Sequence, residues 1–192
     1  MALEHAILVS LSERPGTGYE IGQQFSRSIG YFWSATHQQI YRTLKKLHAD
    51  GLVSFESIAQ DGRPDKKVYT LSDAGRDLLA DWVSSPTPLS PLRSDIGLKL
   101  RAADLGDLPT VITELRAHRD EAAGLLAVFQ GWEQEYYPDP DALSGRKLGQ
   151  YLVLRGGILM HEHTITWCDE VLVRFQREVD NQSAAQPAAT SR

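Results

Sequence analysis

The chain of 192 residues has a single cysteine, Cys168. One cysteine excludes an intramolecular disulfide framework and any metal site built on a cysteine set, and it fits a reducing compartment. Long apolar runs are missing as well: no stretch approaches the roughly 18 residues that a membrane-spanning helix needs. The N-terminus carries no basic-then-apolar leader, so the expected location is the cytoplasm, with no membrane partner. Net positive charge is also lacking. A balance of −5 at pH 7 excludes a protein whose whole surface coats nucleic acid. The remaining composition, 42% hydrophobic and 23% charged, is ordinary for a chain long enough to build one large packed domain or two small ones.

What the chain does have is a local concentration of base. From Arg42 to Lys67 the bases Arg42, Lys45, Lys46, Arg63, Lys66 and Lys67 outnumber the acids Asp50, Glu56, Asp61 and Asp65. Periodicity shows what carries them. Leu3, Ile7, Leu8 and Leu11 have helical spacing that the turn "PGTG" (15–18) ends, and a second short helix runs from about Tyr19 to Ser28. A third begins at Thr36, where Thr36 and Gln39 match a capping box. Its inner stripe is Ile40, Leu44 and Leu47, and Gly51 suits a left-handed C-cap. Two alternating runs, 52–60 and 67–71, flank the turn-rich "DGRPDK" and predict a β-hairpin with a polar, basic tip. A further helix opens at Ser72, with Leu78, Leu79 and Trp82 inward.

Three helices, a two-stranded hairpin and one helix make a winged helix-turn-helix, so the fold class is mainly α. In that fold the third helix enters the DNA major groove and the hairpin lies beside it. With Ile40, Leu44 and Leu47 turned inward, Thr36, His37, Gln38, Gln39, Tyr41, Arg42, Lys45 and Lys46 fall on or beside the outer faces. Gln pairs in a bidentate way with adenine and Arg with guanine, while the later lysines suit phosphates. Arg63, Lys66 and Lys67 on the hairpin are expected to track the backbone or the minor groove. A basic helix face alone is usually just solvated; the order and lengths of the elements are what favour double-stranded DNA as partner.

The chain also resembles the PadR-like transcriptional regulators, in the branch whose longer C-terminal domain is similar to virulence-gene activators. The matching residues are "GYEI" (18–21), "FW" (32–33), "THQQIYRTLKKLHADGLV" (36–53), "GRPDKKVYTLSDAG" (62–75), "RGG" (155–157) and "TWCDE" (166–170). The resemblance implies a homodimer with Tyr19, Tyr41 and the hairpin close to DNA; two-fold symmetry then predicts a pseudo-palindromic operator, and repression is the expected action although the sequence does not distinguish it from activation. It also implies a small aromatic effector, because some relatives respond to phenolic or multidrug compounds. The sequence itself shows no group specific to such a ligand: Trp33, Trp82, Trp132 and Trp167 suit core or dimer packing better than a ligand pocket.

The organisation expected is a winged-helix domain (1–83), a Pro/Ser linker (84–94), a helical dimerisation domain (95–180) and a disordered tail (181–192). Val111, Leu115, His118, Ala122, Leu125, Phe129, Trp132 and Tyr136 form one heptad-spaced seam. Tyr151, Leu154, Ile158, His161, Ile165, Cys168, Leu172, Phe175 and Val179 form another, and the "YYPDPD" break (136–141) joins the two. Part of each seam closes on the other. The rest, with Leu115, Leu125, Phe129, Trp132, Tyr151, Leu154, Ile158, Ile165, Leu172 and Phe175 as candidates, is expected to meet a second copy. Catalysis is not expected, nor any cofactor or metal: His161 and His163 point to different sides of a helix, and Ile165 stands where an H-E-x-x-H motif needs its second histidine. The rival reading is a winged helix that binds acidic protein rather than duplex.

Overall fold

The structure is a computed structural model that describes residues 2–27, 35–60, 63–87 and 94–185. The chain divides into two compact units, residues 1–90 and 91–192.

The first unit runs α1 (Ala2–Glu13), α2 (Gly18–Arg27), α3 (His37–Ala49), β1 (Val53–Gln60), β2 (Arg63–Leu71) and α4 (Asp73–Ser84). Its core contains the stripe residues read from helical period, Ile7, Leu8 and Leu11 of α1, Ile40, Leu44 and Leu47 of α3 and Leu79 of α4, together with Ile21 and Phe25 of α2 and Val53, Tyr69 and Leu71 of the hairpin. Trp82 departs from its expected inward place. It is 41% exposed and stacks on His5 of α1, with ring centroids 4.5 Å apart, so its large face is covered while its edge stays wet.

Both caps of α3 form as the sequence demands. The Thr36 hydroxyl accepts from the Gln39 N–H at 3.2 Å, and the Thr36 N–H donates to the Gln39 side chain at 2.8 Å. At the other end Gly51 has φ +73°, and the Leu52 and Gly51 N–H groups donate to the Leu47 and His48 carbonyls. That is a Schellman closure, which a side chain at position 51 would strain. Directly after it, Leu52 leads into β1.

β1 and β2 pair antiparallel with Val53 opposite Leu71 and Phe55 opposite Tyr69, so one face of the hairpin lies on the core. β2 starts at Arg63, four residues before the expected 67. Pro64 is tolerated in it because the register slips between Ile58 and Gln60, and a bulge is where a missing ladder donor costs least. A feature the sequence did not disclose ties the hairpin down: Gly16 and Tyr69 exchange two backbone hydrogen bonds, at 3.1 and 2.9 Å.

The second unit contains α5 (Asp95–Arg101), a 3-10 turn (Ala103–Leu105), α6 (Leu108–Tyr136), a second 3-10 turn (Pro140–Ala142) and α7 (Gly145–Ala185). α6 and α7 are antiparallel: Arg119 meets Asp169, Phe129 meets His161, Arg155 meets Glu133 and Tyr137 meets Tyr151. Gly157 faces Phe129, and a Cβ there would sit 2.4 Å from the ring. His118, expected in the seam, is exposed; Arg119 faces α7 instead because it has Asp169 to pair with. Tyr136 is also exposed. The helix does not stop at Val179 but continues through Asn181 to Ala185, where a disordered tail was expected. The Gln182 amide donates to Glu178 one turn back, and Ala184 and Ala185 are strong helix formers.

Candidate nucleic-acid interface

α3 presents its polar face outward because its three apolar residues fall on one stripe. Ile40, Leu44 and Leu47 are at most 1% exposed, whereas His37, Gln38, Gln39, Tyr41, Arg42, Lys45 and Lys46 are all exposed. Thr36, also exposed, is occupied as the cap.

α3 is seated against α2 through two glycines one turn apart. A Cβ on Gly18 would lie 2.4 Å from the Tyr41 ring, and one on Gly22 would lie 2.6 Å from the His37 ring. Gly18 and Gly22 form a flat strip on α2, and His37 and Tyr41, also four apart, lie on it. The His37 ring in addition runs nearly parallel to that of Tyr19, at 6.0 Å. Both tyrosines remain half exposed, Tyr19 at 57% and Tyr41 at 50%. The start of α3 is therefore positioned, yet its polar ends face water.

The exposed residues separate into free and engaged groups. Gln38, Arg42 and Lys45 make no side-chain hydrogen bond or ion pair with the described residues. Gln39 turns its carbonyl oxygen back to the Thr36 N–H and so belongs to the cap. Lys46 is held by Glu4 of α1, with Asp50 at 3.6 Å, and this contact pulls the Glu4 carboxyl below its ordinary range. It braces α3 against α1. Arg63 opens β2, and its side chain lies outside the described part of the structure, as do Phe32 and Trp33. The Lys67 ammonium sits 4.3 Å over the Phe55 ring, and Lys66 pairs with Glu20 at 3.2 Å. Between α2, α3 and β2 these residues enclose an open cleft of about 760 Å³, lined among others by Tyr19, Tyr41, Lys45, Phe55, Lys66 and Lys67.

Glu20 is the residue that sequence reasoning missed. Its carboxylate accepts from the Thr17 N–H at 2.7 Å and the Thr17 hydroxyl at 2.9 Å, while the Glu20 N–H donates back to that hydroxyl at 3.2 Å. "TGYE" is thus a second capping box, and its S/T-x-x-E spacing was legible. Chiefly the bonds from Thr17 hold the Glu20 carboxyl below its usual range; burial opposes them, and the Lys66 contact adds to the lowering.

In the second unit the ten candidate contact residues fall into two sets. Leu115, Phe129 and Ile158 are buried inside the single chain, between α6 and α7. Leu125, Trp132, Tyr151, Leu154, Ile165, Leu172 and Phe175 are partly covered. The apolar side chains most open to water on α7 are others: Leu152, Val153, Leu159, Met160 and Val173, each 52% to 57% exposed. Steps of seven relate 152 to 159 and 153 to 160, and Val173 lies two further steps beyond Leu159, which makes one stripe along α7. Cys168 is fully buried in the same unit, and burial raises its thiol pKa, so it packs as a small hydrophobe.

Comparison with known proteins matches both units. Residues 7–81 match the transcriptional regulator PadR-like family, and residues 92–176 match the family described as virulence activator alpha C-term. A probable transcriptional regulator of Mycobacterium tuberculosis is 48% identical over 188 residues, covering 93% of this chain and all of that protein. The virulence activator AphA of Vibrio cholerae superposes with a TM-score of 0.76 at 36% identity, over 92% of this chain and 99% of its own. PadR of Bacillus subtilis in complex with operator DNA gives 0.81 at 28% identity, over 91% and 99%. The same Bacillus protein is named a negative transcriptional regulator and has also been solved with p-coumaric acid. With relatives of that identity along nearly their full length, this chain belongs to the PadR-like family of transcriptional regulators.

Proposed function

We propose that this regulator binds double-stranded DNA as a homodimer, placing one α3 per copy in successive major grooves of a pseudo-palindromic operator, and that it represses. The observation that carries the proposal is the face of α3 opposite Ile40, Leu44 and Leu47. There Gln38, Arg42 and Lys45 are exposed and free of described partners on a helix braced at both ends. Gln38 and Arg42, in the first two turns, have the donor–acceptor patterns that read adenine and guanine edges; Lys45, a turn on, suits a phosphate. Tyr19, His37 and Tyr41 flank them, and the hairpin lysines add contacts independent of sequence. The operator complex and the negative-regulator name of the Bacillus relative support the same reading. No observation favours a protein-only role for the winged helix.

The second unit supplies the partner copy. Leu115, Phe129 and Ile158 are spent within the chain, so the contact falls to the exposed stripe of Leu152, Leu159 and Val173 with the partly covered residues beside it. A two-fold axis there sets the two α3 helices about 34 Å apart, one turn of duplex. A small aromatic acid is the effector class we favour, on the strength of the p-coumaric acid complex of the Bacillus relative. No described helix is long and apolar enough to cross a membrane, and we place the activity in the cytoplasm, exerted by binding and not by turnover.

The test is selection of a duplex from a random library, followed by titration of that duplex and an unrelated one across salt concentrations. We expect a two-fold symmetric site, with Arg42→Ala or Gln38→Ala losing about 1 to 3 kcal/mol on it and little on the unrelated duplex. Equal affinity for every sequence, or equal losses on both duplexes, would refute the assignment.

A further inference from the structure

Glu20 sets a carboxylate at the mouth of the cleft that, on the DNA-binding reading above, faces the duplex. One of its oxygens closes the Thr17 cap, and the other accepts from the Lys66 ammonium at 3.2 Å. A negative charge at this point opposes phosphate by neutralising one of the lysines of the hairpin.

Neither of its structural duties requires the charge. The cap needs an acceptor only, and the same chain shows this at α3, where the neutral Gln39 closes an equivalent box on Thr36. The hairpin is fastened independently, by the paired backbone bonds of Gly16 and Tyr69 and by burial of the Tyr69 ring. The Glu20 and Lys66 side chains are 44% and 39% exposed, and ion pairs this wet contribute little to folding. Against that small contribution stands a full unit of charge at a surface whose affinity follows from counting charges.

We infer that Glu20 is an affinity-setting counter-charge: it holds the Lys66 ammonium back from the DNA backbone, so that a phosphate has to compete with a carboxylate for it. The consequence is a regulator that binds every duplex less tightly than its lysines allow. The inference rests on the DNA-binding reading, and the test separates the two.

Full-length wild type, Glu20→Gln, Lys66→Met and the double variant are titrated against one labelled duplex of random sequence between 0.1 and 0.4 M salt. Freeing one ammonium steepens the dependence of log affinity on log salt by about 0.9, which tightens Glu20→Gln binding about fivefold at 0.15 M. In the Lys66→Met background the same Glu20→Gln exchange leaves the slope unchanged, because no ammonium is there to free. Weaker binding by Glu20→Gln, as a hairpin anchor would give, overturns the inference, and so does steepening that persists without Lys66. A wild type whose binding ignores salt overturns the DNA-binding reading and this inference together. A salt-dependent wild type with an unaltered Glu20→Gln slope overturns this inference alone.

Discussion

Gly22→Ala separates stability from recognition in this fold. The added methyl would lie 2.6 Å from His37 Cε1 and 2.7 Å from Nδ1, and ordinary contact begins near 3.4 Å. The ring must therefore retreat by about 0.8 Å. His37 is exposed and its ring is the far end of a side chain, so the retreat costs little. Meanwhile α2 exchanges an interior glycine for alanine, which favours the helix by about 0.8 to 1 kcal/mol. Partial loss of the Tyr19–His37 ring contact offsets this, at about 0.5 kcal/mol for a wet pair. The net change in urea-induced unfolding is expected to lie between zero and about 0.5 kcal/mol more stable. Binding should move the other way. His37 flanks the base-reading Gln38, and if its displacement by most of an ångström costs that one base contact, worth about 1 to 3 kcal/mol, affinity for the selected operator falls roughly 5-fold to 150-fold, with little change on unrelated duplex. Fluorescence anisotropy on both duplexes beside the urea curve is sufficient. Destabilisation beyond about 1.5 kcal/mol would show that the two helices cannot yield at this point. An unaltered operator affinity would show that the placement of His37 on α2 is irrelevant to recognition.

Three further outcomes concern the second unit. Leu115→Ala should lower stability by about 2 to 5 kcal/mol, since the side chain is fully buried within the chain, whereas Leu159→Lys should leave folding intact and shift sedimentation toward monomer. A stable dimer of Leu159→Lys would remove α7's exposed stripe from the interface. His161 packs edge-on against Phe129, and burial lowers its pKa below the ordinary 6.5, so the unfolded chain takes up the proton first. Stability present above pH 6.5 is then lost as pH falls through and below that value. His161→Gln should flatten the fall in Tm between pH 7.5 and 5.5, and an equally steep fall in the variant would assign it elsewhere.

The polar start of α3 was legible because its signals are local. Thr36 and Gln39 are three residues apart, the stripe of Ile40, Leu44 and Leu47 repeats with the helix, and Gly51 follows at the one place where a left-handed residue is required. The hairpin was legible from alternation, except at Pro64, where a bulge absorbs a residue that alternation alone rejects. Long-range facts were not legible. Nothing in "PGTG" announces that Gly16 will pair with Tyr69 more than fifty residues on, nor that Gly18 and Gly22 will become the bed of His37 and Tyr41.

The sequence by itself determined the element order, the caps and the outward face of α3, since each follows from spacing within one or two turns of chain. Tertiary structure decided which polar groups are already taken. It gave Lys46 to Glu4 and Lys66 to Glu20, and with Gln39 already held by its local cap it left Gln38, Arg42 and Lys45 without a partner among the described residues. It also spent Leu115, Phe129 and Ile158 inside the α6–α7 pair and left Leu152 and Leu159 outside. The physical reason is the same in both cases. Periodicity says which side of a helix is apolar or charged, but a partner from a distant segment is fixed only when packing brings the two within a few ångströms.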